Sequence, residues 1–174
     1  MGVLLLAGCS AEALGDNKPM GMYKPGLQSD KSMFRLLIER FIKAQMVACG
    51  VDNIFMAPLH CKLIIMTNAD THELVTQYFH QNSYFGIMKE NIVFVEAHRM
   101  PILSNDGNIL LKSRGEVAMA SAGNGAFFDT LNANEQLRSF MEEELDYVQI
   151  IGVKNLLTKV LDPAQIGYAF KQNA

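Results

Sequence analysis

Cysteine is scarce in this chain: Cys9, Cys49 and Cys61 are the only three in 174 residues, widely spaced and with no CxxC pair. An odd, sparse set argues against a disulfide framework and against a thiolate metal site, and suits reduced thiols in a cytosolic compartment. A long apolar run is missing too. Val3 to Ala7 is far too short for a membrane span, and it lacks the basic leader and longer apolar core of a signal peptide. Nor is there an excess of basic charge: 15 Lys and Arg against 18 Asp and Glu leave a net charge of -3. That balance gives no electrostatic case for nucleic acid or for an anionic membrane, although a contact with nucleic acid inside a larger assembly stays open. Repeats, low-complexity tracts and linkers are absent from the sequence. The expectation is a cytoplasmic chain without a membrane span, forming a single domain over residues 1–174, long enough to bury roughly two thirds of its unfolded surface.

What is present is an alternation of short apolar runs with helical patterns. Residues 3–7, "CKLIIMT" at 61–67, "NIVFVEA" at 91–97 and "YVQIIGV" at 147–153 read as strands that are apolar throughout. Phe34, Leu37, Ile38, Phe41, Ile42, Gln45 and Met46 follow helical spacing, so a helix is expected over 31–49, capped by Ser29 or Asp30. Further helices are expected over 71–81, over 124–145 as one element, and from Asp162-Pro163 onward. The stretch 98–122 breaks the pattern with two short runs, 109–112 and 116–120, and reads as a hairpin or small β-insert returning to a Gly-Asn-Gly loop. Continuous apolar strands alternating with helices imply an α/β fold, a mainly parallel sheet covered on both faces in three α/β/α layers. Ligands of such sheets bind beyond the carboxyl ends of the strands. The loops to watch are therefore 8–29, 67–71, 97–101, 121–126 and 153–163.

Those loops carry an ordered series: "LLLAG", then Leu14-Gly15, "PMGM" at 19–22, "GLQSDKSMF" at 26–34, "IMT", "YFG", Glu96, Gly123-Asn124-Gly125 and "DPAQIGY" at 162–168. Taken together and in register from Val3 to Ala174, the series resembles the eukaryotic UDP-sugar pyrophosphorylases, and most of all their UDP-N-acetylglucosamine pyrophosphorylase branch. The resemblance implies a Rossmann-like nucleotidyltransferase fold. It also implies a Mg²⁺-dependent reaction in which UTP and N-acetylglucosamine 1-phosphate give UDP-N-acetylglucosamine and pyrophosphate, with catalysis resting on positioning and charge neutralisation.

The same resemblance marks departures. The family's first loop, G-G-x-G-T-R-L-G, keeps Gly8, Leu14 and Gly15 here, but Cys9 and Ala11 stand where glycines let the backbone approach a triphosphate, and Ala13 replaces the arginine. Glu12 adds a negative charge; an anion about 4 Å from a phosphate oxygen costs about 1 kcal/mol in water and about 4 at a surface-like dielectric. Met20 replaces the lysine of P-K-G-M, with Lys18 and Lys24 close by as substitutes. Glu96 and Ala97 stand where a glutamine would read uracil, and Lys154 replaces the metal-binding aspartate of V-D-N. Lys154 is open to two readings: direct contact with phosphates in place of the metal, or a position released from catalytic constraint.

Ala7, Gly8, Lys31, Gly123, Asn124 and Gly125 remain as candidates for a nucleotide or sugar contact, with no catalytic residue and no metal ligand assigned. Lys31 reads equally as a lysine near a helix start, and Gly123 to Gly125 as a turn with a cap at Asn124. The resemblance further implies that family members extend beyond both ends of this chain, so the region 147–174 is expected to meet a partner that covers an edge strand. Three functions follow: a catalytically inactive pyrophosphorylase-like protein kept as an interaction or structural partner in a larger assembly, a remnant module that holds UTP or a UDP-sugar, or an active enzyme. Only the last calls for Mg²⁺.

Overall fold

The computed structural model describes residues 1–52 and 60–172. Four parallel strands form the central sheet: β1 (Gly2–Leu6), β2 (Lys62–Thr67), β3 (Ile92–Glu96) and β8 (Val148–Gly152), in the order β3-β2-β1-β8. The register places Leu6 opposite both Met66 and Gly152, and Met66 opposite Val95. Side chains alternate across a strand, and in the central strands β1 and β2 both faces are buried, whereas Ile150 of the edge strand β8 is exposed. Val3, Leu5, Leu63, Ile65 and Ile151 pack on one side, and Leu4, Ile64, Met66 and Val95 on the other. That is why these strands read as unbroken apolar runs.

Helices cover both faces. On one lie α1 (Met33–Ala48) and α2 (His72–Gln81), through Phe34, Leu37, Ile38, Phe41, Val75 and Phe79. Each such side chain, once buried, contributes roughly 1.5–3 kcal/mol. On the other lie α3 (Ala126–Ala133) and α4 (Glu135–Glu144), through Phe127 and Leu137. A fifth helix, α5 (Pro163–Gln172), follows β8. No helix among the described residues is long and apolar enough to cross a membrane.

Three details differ from the sequence expectations. The cap of α1 is Ser32, whose Oγ accepts from the Arg35 N–H at 3.2 Å, while Asp30 adopts a positive φ outside the helix. The helix expected over 124–145 is two. Asn134 leaves helical geometry, and its side chain accepts from the Leu137 N–H at 3.0 Å, so an intrahelical residue becomes the cap of α4. The insert has more strands than two runs suggest. It comprises β4 (Arg99–Pro101) pairing antiparallel with β7 (Met119–Ser121), and β5 (Leu111–Ser113) with β6 (Glu116–Val117). The helix expected over 31–49 is present as α1, and residues 53–59, in the connection to β2, lie outside the described residues.

Candidate functional site at the carboxyl edge of the sheet

Beyond the carboxyl ends of β1, β2 and β3 lies a cleft of ≈ 180 Å³. Its walls come from four of the loops singled out above: Gly8 and Cys9 after β1, Thr67 at the end of β2, Ala97 after β3, and Ser121 at the end of β7 with Gly123 and Asn124 beyond it. Enclosed sites for drug-sized ligands run to about 300–1,000 Å³, and this cleft is smaller than that range.

The floor is tightly organised. Ala7 is fully buried, and its N–H donates to the Met66 carbonyl at 2.7 Å. It braces the end of the strand and does not line the cleft. Gly8 does line it, and its carbonyl accepts from Asn68 Nδ2 at 2.6 Å. A Cβ at Gly8 would stand 3.2 Å from the Asn68 N and 3.3 Å from the Thr67 carbonyl carbon, both backbone atoms, so glycine permits this approach. Asn68 Oδ1 accepts in turn from the Thr71 N–H at 2.8 Å and from Thr71 Oγ1 at 2.7 Å, fixing the loop into α2. Thr67 Oγ1 is 2.7 Å from His72 Nδ1 and 3.3 Å from the Val95 carbonyl. Thr67 and Asn68 were not singled out as site residues, although polar residues straight after an apolar strand are a legible signal for its carboxyl end.

The other candidates divide. Gly123, at φ 77°, and Asn124 line the cleft with Gly8. Gly125 is the N-cap of α3 and makes no side-chain cap bond, so Asn124 does not serve as the cap. Lys31 is directed elsewhere: its Nζ bonds Glu39 Oε2 at 2.7 Å, and Arg35 Nε holds Glu39 Oε1 at 2.7 Å. Burial pushes the Glu39 carboxyl up, but the bonds and charges of Lys31 and Arg35 outweigh it and hold it below its ordinary range.

The first loop closes on itself. The Met20 N–H donates to the Cys9 carbonyl at 2.8 Å, the Ala11 N–H to the Lys18 carbonyl at 2.9 Å, and Ser10 and Pro19 form an antiparallel bridge. Leu14, Gly15 and Asp16 donate to carbonyls of Ala11 and Glu12 in the same loop. The Met20 side chain is buried in the core with Phe34, and Ala11 is buried outright. Ala13 and Glu12 are exposed on a short turn away from the cleft lining. Of the two nearby lysines, Lys24 is paired with Asp30. Glu96 lines a different cavity, of ≈ 500 Å³, with Thr130, Asn134 and Phe140.

Lys154 follows β8 in an exposed turn, and its ammonium acts on Cys9: burial pushes that thiol up, while Lys154 and the residue's own backbone N–H pull it back. Mg²⁺ takes oxygen ligands, chiefly carboxylates. An ammonium supplies donors only. Among the described residues no three His, Cys, Asp or Glu side chains group to hold a metal ion. The donor set at this edge does not fit Mg²⁺.

A parallel sheet with helices on both faces and a Gly8–Asn124 cleft at its carboxyl edge defines a nucleotidyltransferase-like α/β domain. The chain belongs to the UTP–glucose-1-phosphate uridylyltransferase family, whose sequence model matches residues 1–174. UDP-N-acetylglucosamine diphosphorylase 2 of Arabidopsis thaliana is 31% identical over 176 residues, covering 100% of this chain and 35% of that protein. UDP-N-acetylglucosamine pyrophosphorylase of Saccharomyces cerevisiae is 31% identical over 170 residues, with 97% and 34% covered. Among solved structures, the UDP-N-acetylglucosamine pyrophosphorylase of Trypanosoma brucei, crystallised with an inhibitor, superposes with a TM-score of 0.86 at 32% identity, covering 99% of this chain and 35% of that one. The chain thus spans about a third of the length of these relatives.

Proposed function

We propose that this chain is a catalytically inactive, cytoplasmic member of the family, kept as an interaction or structural partner in a larger assembly. The observation that carries the reading is Met20. The resemblance expects a lysine there to meet the transferring phosphate, and here the position buries a thioether in the core cluster that also holds Phe34. Ala13 and Lys154 compound the loss. Removing one group that acts mainly on transition-state charge commonly costs about a hundredfold or more, and three positions have changed. The partner role draws support from a largely apolar groove of ≈ 920 Å³ between α1 and α5, lined by Val47, Tyr147, Leu157, Ile166 and Phe170. It lies beside β8, an edge strand of the described sheet.

A second reading, that the chain still holds UTP or a UDP-sugar without turning it over, is favoured by one observation: Gly8, Gly123 and Asn124 line the same cleft. The deciding experiment incubates the purified chain with UTP, N-acetylglucosamine 1-phosphate and Mg²⁺ and follows pyrophosphate. Release at the rate of a protein-free blank is expected; turnover above it would sink the inactive reading. Sedimentation of the same sample addresses the partner role, against which a stable monomer with the groove bare would count.

A further inference from the structure

The outer edge of the central sheet is complementary to itself. β8 has no strand on its far side among the described residues. The Tyr147 carbonyl accepts from the Gly2 N–H at 2.9 Å, and the Val153 N–H donates to the Leu6 carbonyl at 3.0 Å. Residues in step with those two bond to β1, so Val148, Ile150 and Gly152 turn their backbone N–H and C=O groups to the open edge. Natural sheets blunt such an edge with charge, proline or a bulge. The strand "VQIIG" contains none of these, and Ile150 is 50% exposed. β3, at the opposite edge, carries an exposed charge of its own in Glu96. Around β8 charge stands only at the flanks, with Asp146 four residues before Ile150 and Lys154 four residues after it. Both are exposed, and neither is taken by an ion pair among the described residues. Phe170 of α5, itself exposed, lies against Tyr147 with ring centroids 6.4 Å apart, so apolar surface continues from the start of β8 onto that helix.

We infer that β8 is the interface to a second copy of this chain, pairing antiparallel with its mate across a two-fold axis at Ile150 and joining two sheets into one. In that register Ile150 meets the same residue of its mate, and Val148 meets Gly152, each pair exchanging both of its outward backbone bonds. Asp146 of either copy then falls opposite Lys154 of the other, so one axis closes two opposite-charge pairs at once. Shifting the axis to Gln149 or to Ile151 loses that match, leaving Asp146 opposite Gly152 or Leu156. The inference rests on the partner role proposed above and names the occupant as a second copy.

The test is sedimentation of the full chain over a range of concentrations. A reversible monomer–dimer equilibrium is expected, weakening as salt is raised because the flanking pairs are exposed. Asp146→Lys and Lys154→Asp each set like charges against each other at both ends of the seam, and each should raise the dissociation constant about tenfold. The chain carrying both changes should recover the parental value. An equimolar mixture of the two single variants should also dimerise as the parent does, since every flanking charge then meets its opposite. That recovery on mixing is specific to pairing between copies. Ile150→Asp, at an exposed position, should leave the chain monomeric at every concentration reached. Thermal melting of each variant reports whether the fold is kept, and the mixing experiment uses each single variant as its own control. A dimer unmoved by Ile150→Asp, or single variants that do not recover on mixing, overturns the β8 pairing and leaves the partner role standing. A parental chain that stays monomeric at every concentration overturns the pairing and counts against the partner role as well. Pyrophosphate release is read separately and bears only on the inactive reading.

Discussion

The ring of Phe34 occupies the space that any side chain on Gly21 would need: a Cβ built there would come within 2.2 Å of Phe34 Cε2. This contact ties the second motif of the first loop, "PMGM", to the first turn of α1, and it does so in the core, not in the cleft. Gly21→Ala is therefore expected to lower the unfolding free energy by about 1–3 kcal/mol through overpacking, measured by urea denaturation. Phe34→Leu should recover part of that loss when combined with Gly21→Ala. Strictly additive losses would mean the two residues do not meet.

Glu39 gives a pH signature. Its carboxyl is desolvated, which alone raises its pKa, yet the bonds from Lys31 and Arg35 leave the net shift downward. A carboxylate depressed in the folded state contributes stability above its unfolded pKa of about 4.3 and loses it as pH falls through the folded value. Both partners are partly exposed, so the contribution is at most about 1 kcal/mol. Glu39→Gln should be less stable than the parent at neutral pH, with the gap closing as the pH drops below the ordinary glutamate range. A gap that persists unchanged into acid would remove the ion pair as its cause.

Much of the architecture was legible because burial on both faces leaves a direct trace: Leu4 and Leu5 point to opposite helical layers and both are apolar. What was not legible depended on how a polar residue is used. Asn134 falls within an apolar helical pattern, and nothing in its spacing says that its side chain caps a new helix instead of continuing the old one. Ser29, Asp30 and Ser32 are all capable caps; only the chain path picks Ser32. At the site, Gly8, Gly123 and Asn124 were found through motif order and do share a cleft. Lys31 was matched by the same motif, but its ammonium lies on Glu39, a partner from α1 that motif matching does not weigh.

Asn68 is the brace between Gly8 and Thr71. Asn68→Ala removes a bond to a strand-end carbonyl and two to Thr71, and is expected to cost about 1–3 kcal/mol. Because Gly8 adjoins the half-buried Cys9, the same variant should quicken alkylation of Cys9, read by mass spectrometry of the tryptic peptide, while Cys49, already exposed, reacts as before. Equal rates at Cys9 in both proteins would show that the Gly8–Asn68 bond does not hold the cleft wall.

Putting a lysine back at position 20 will not put a cation back in the cleft. The Met20 N–H is fixed to the Cys9 carbonyl at 2.8 Å, and its side chain, 4% exposed, packs among Phe34 and its neighbours. An ammonium forced into that space carries an effective penalty of several kcal/mol even after relaxation, and the chain can escape it only by neutralising the group, opening the loop or unfolding. Met20→Lys is expected to lose roughly 3 kcal/mol or more of stability and to release no pyrophosphate from UTP and N-acetylglucosamine 1-phosphate. Met20→Leu, of similar volume, should cost less than about 1.5 kcal/mol and otherwise behave as the parent. The pair separates burial from chemistry. A Met20→Lys chain as stable as the parent and active on the sugar phosphate would mean that the loop turns residue 20 outward at little cost, that the closed Cys9–Met20 arrangement is one of two states, and that the proposed loss of activity is a single substitution deep and not built into the core.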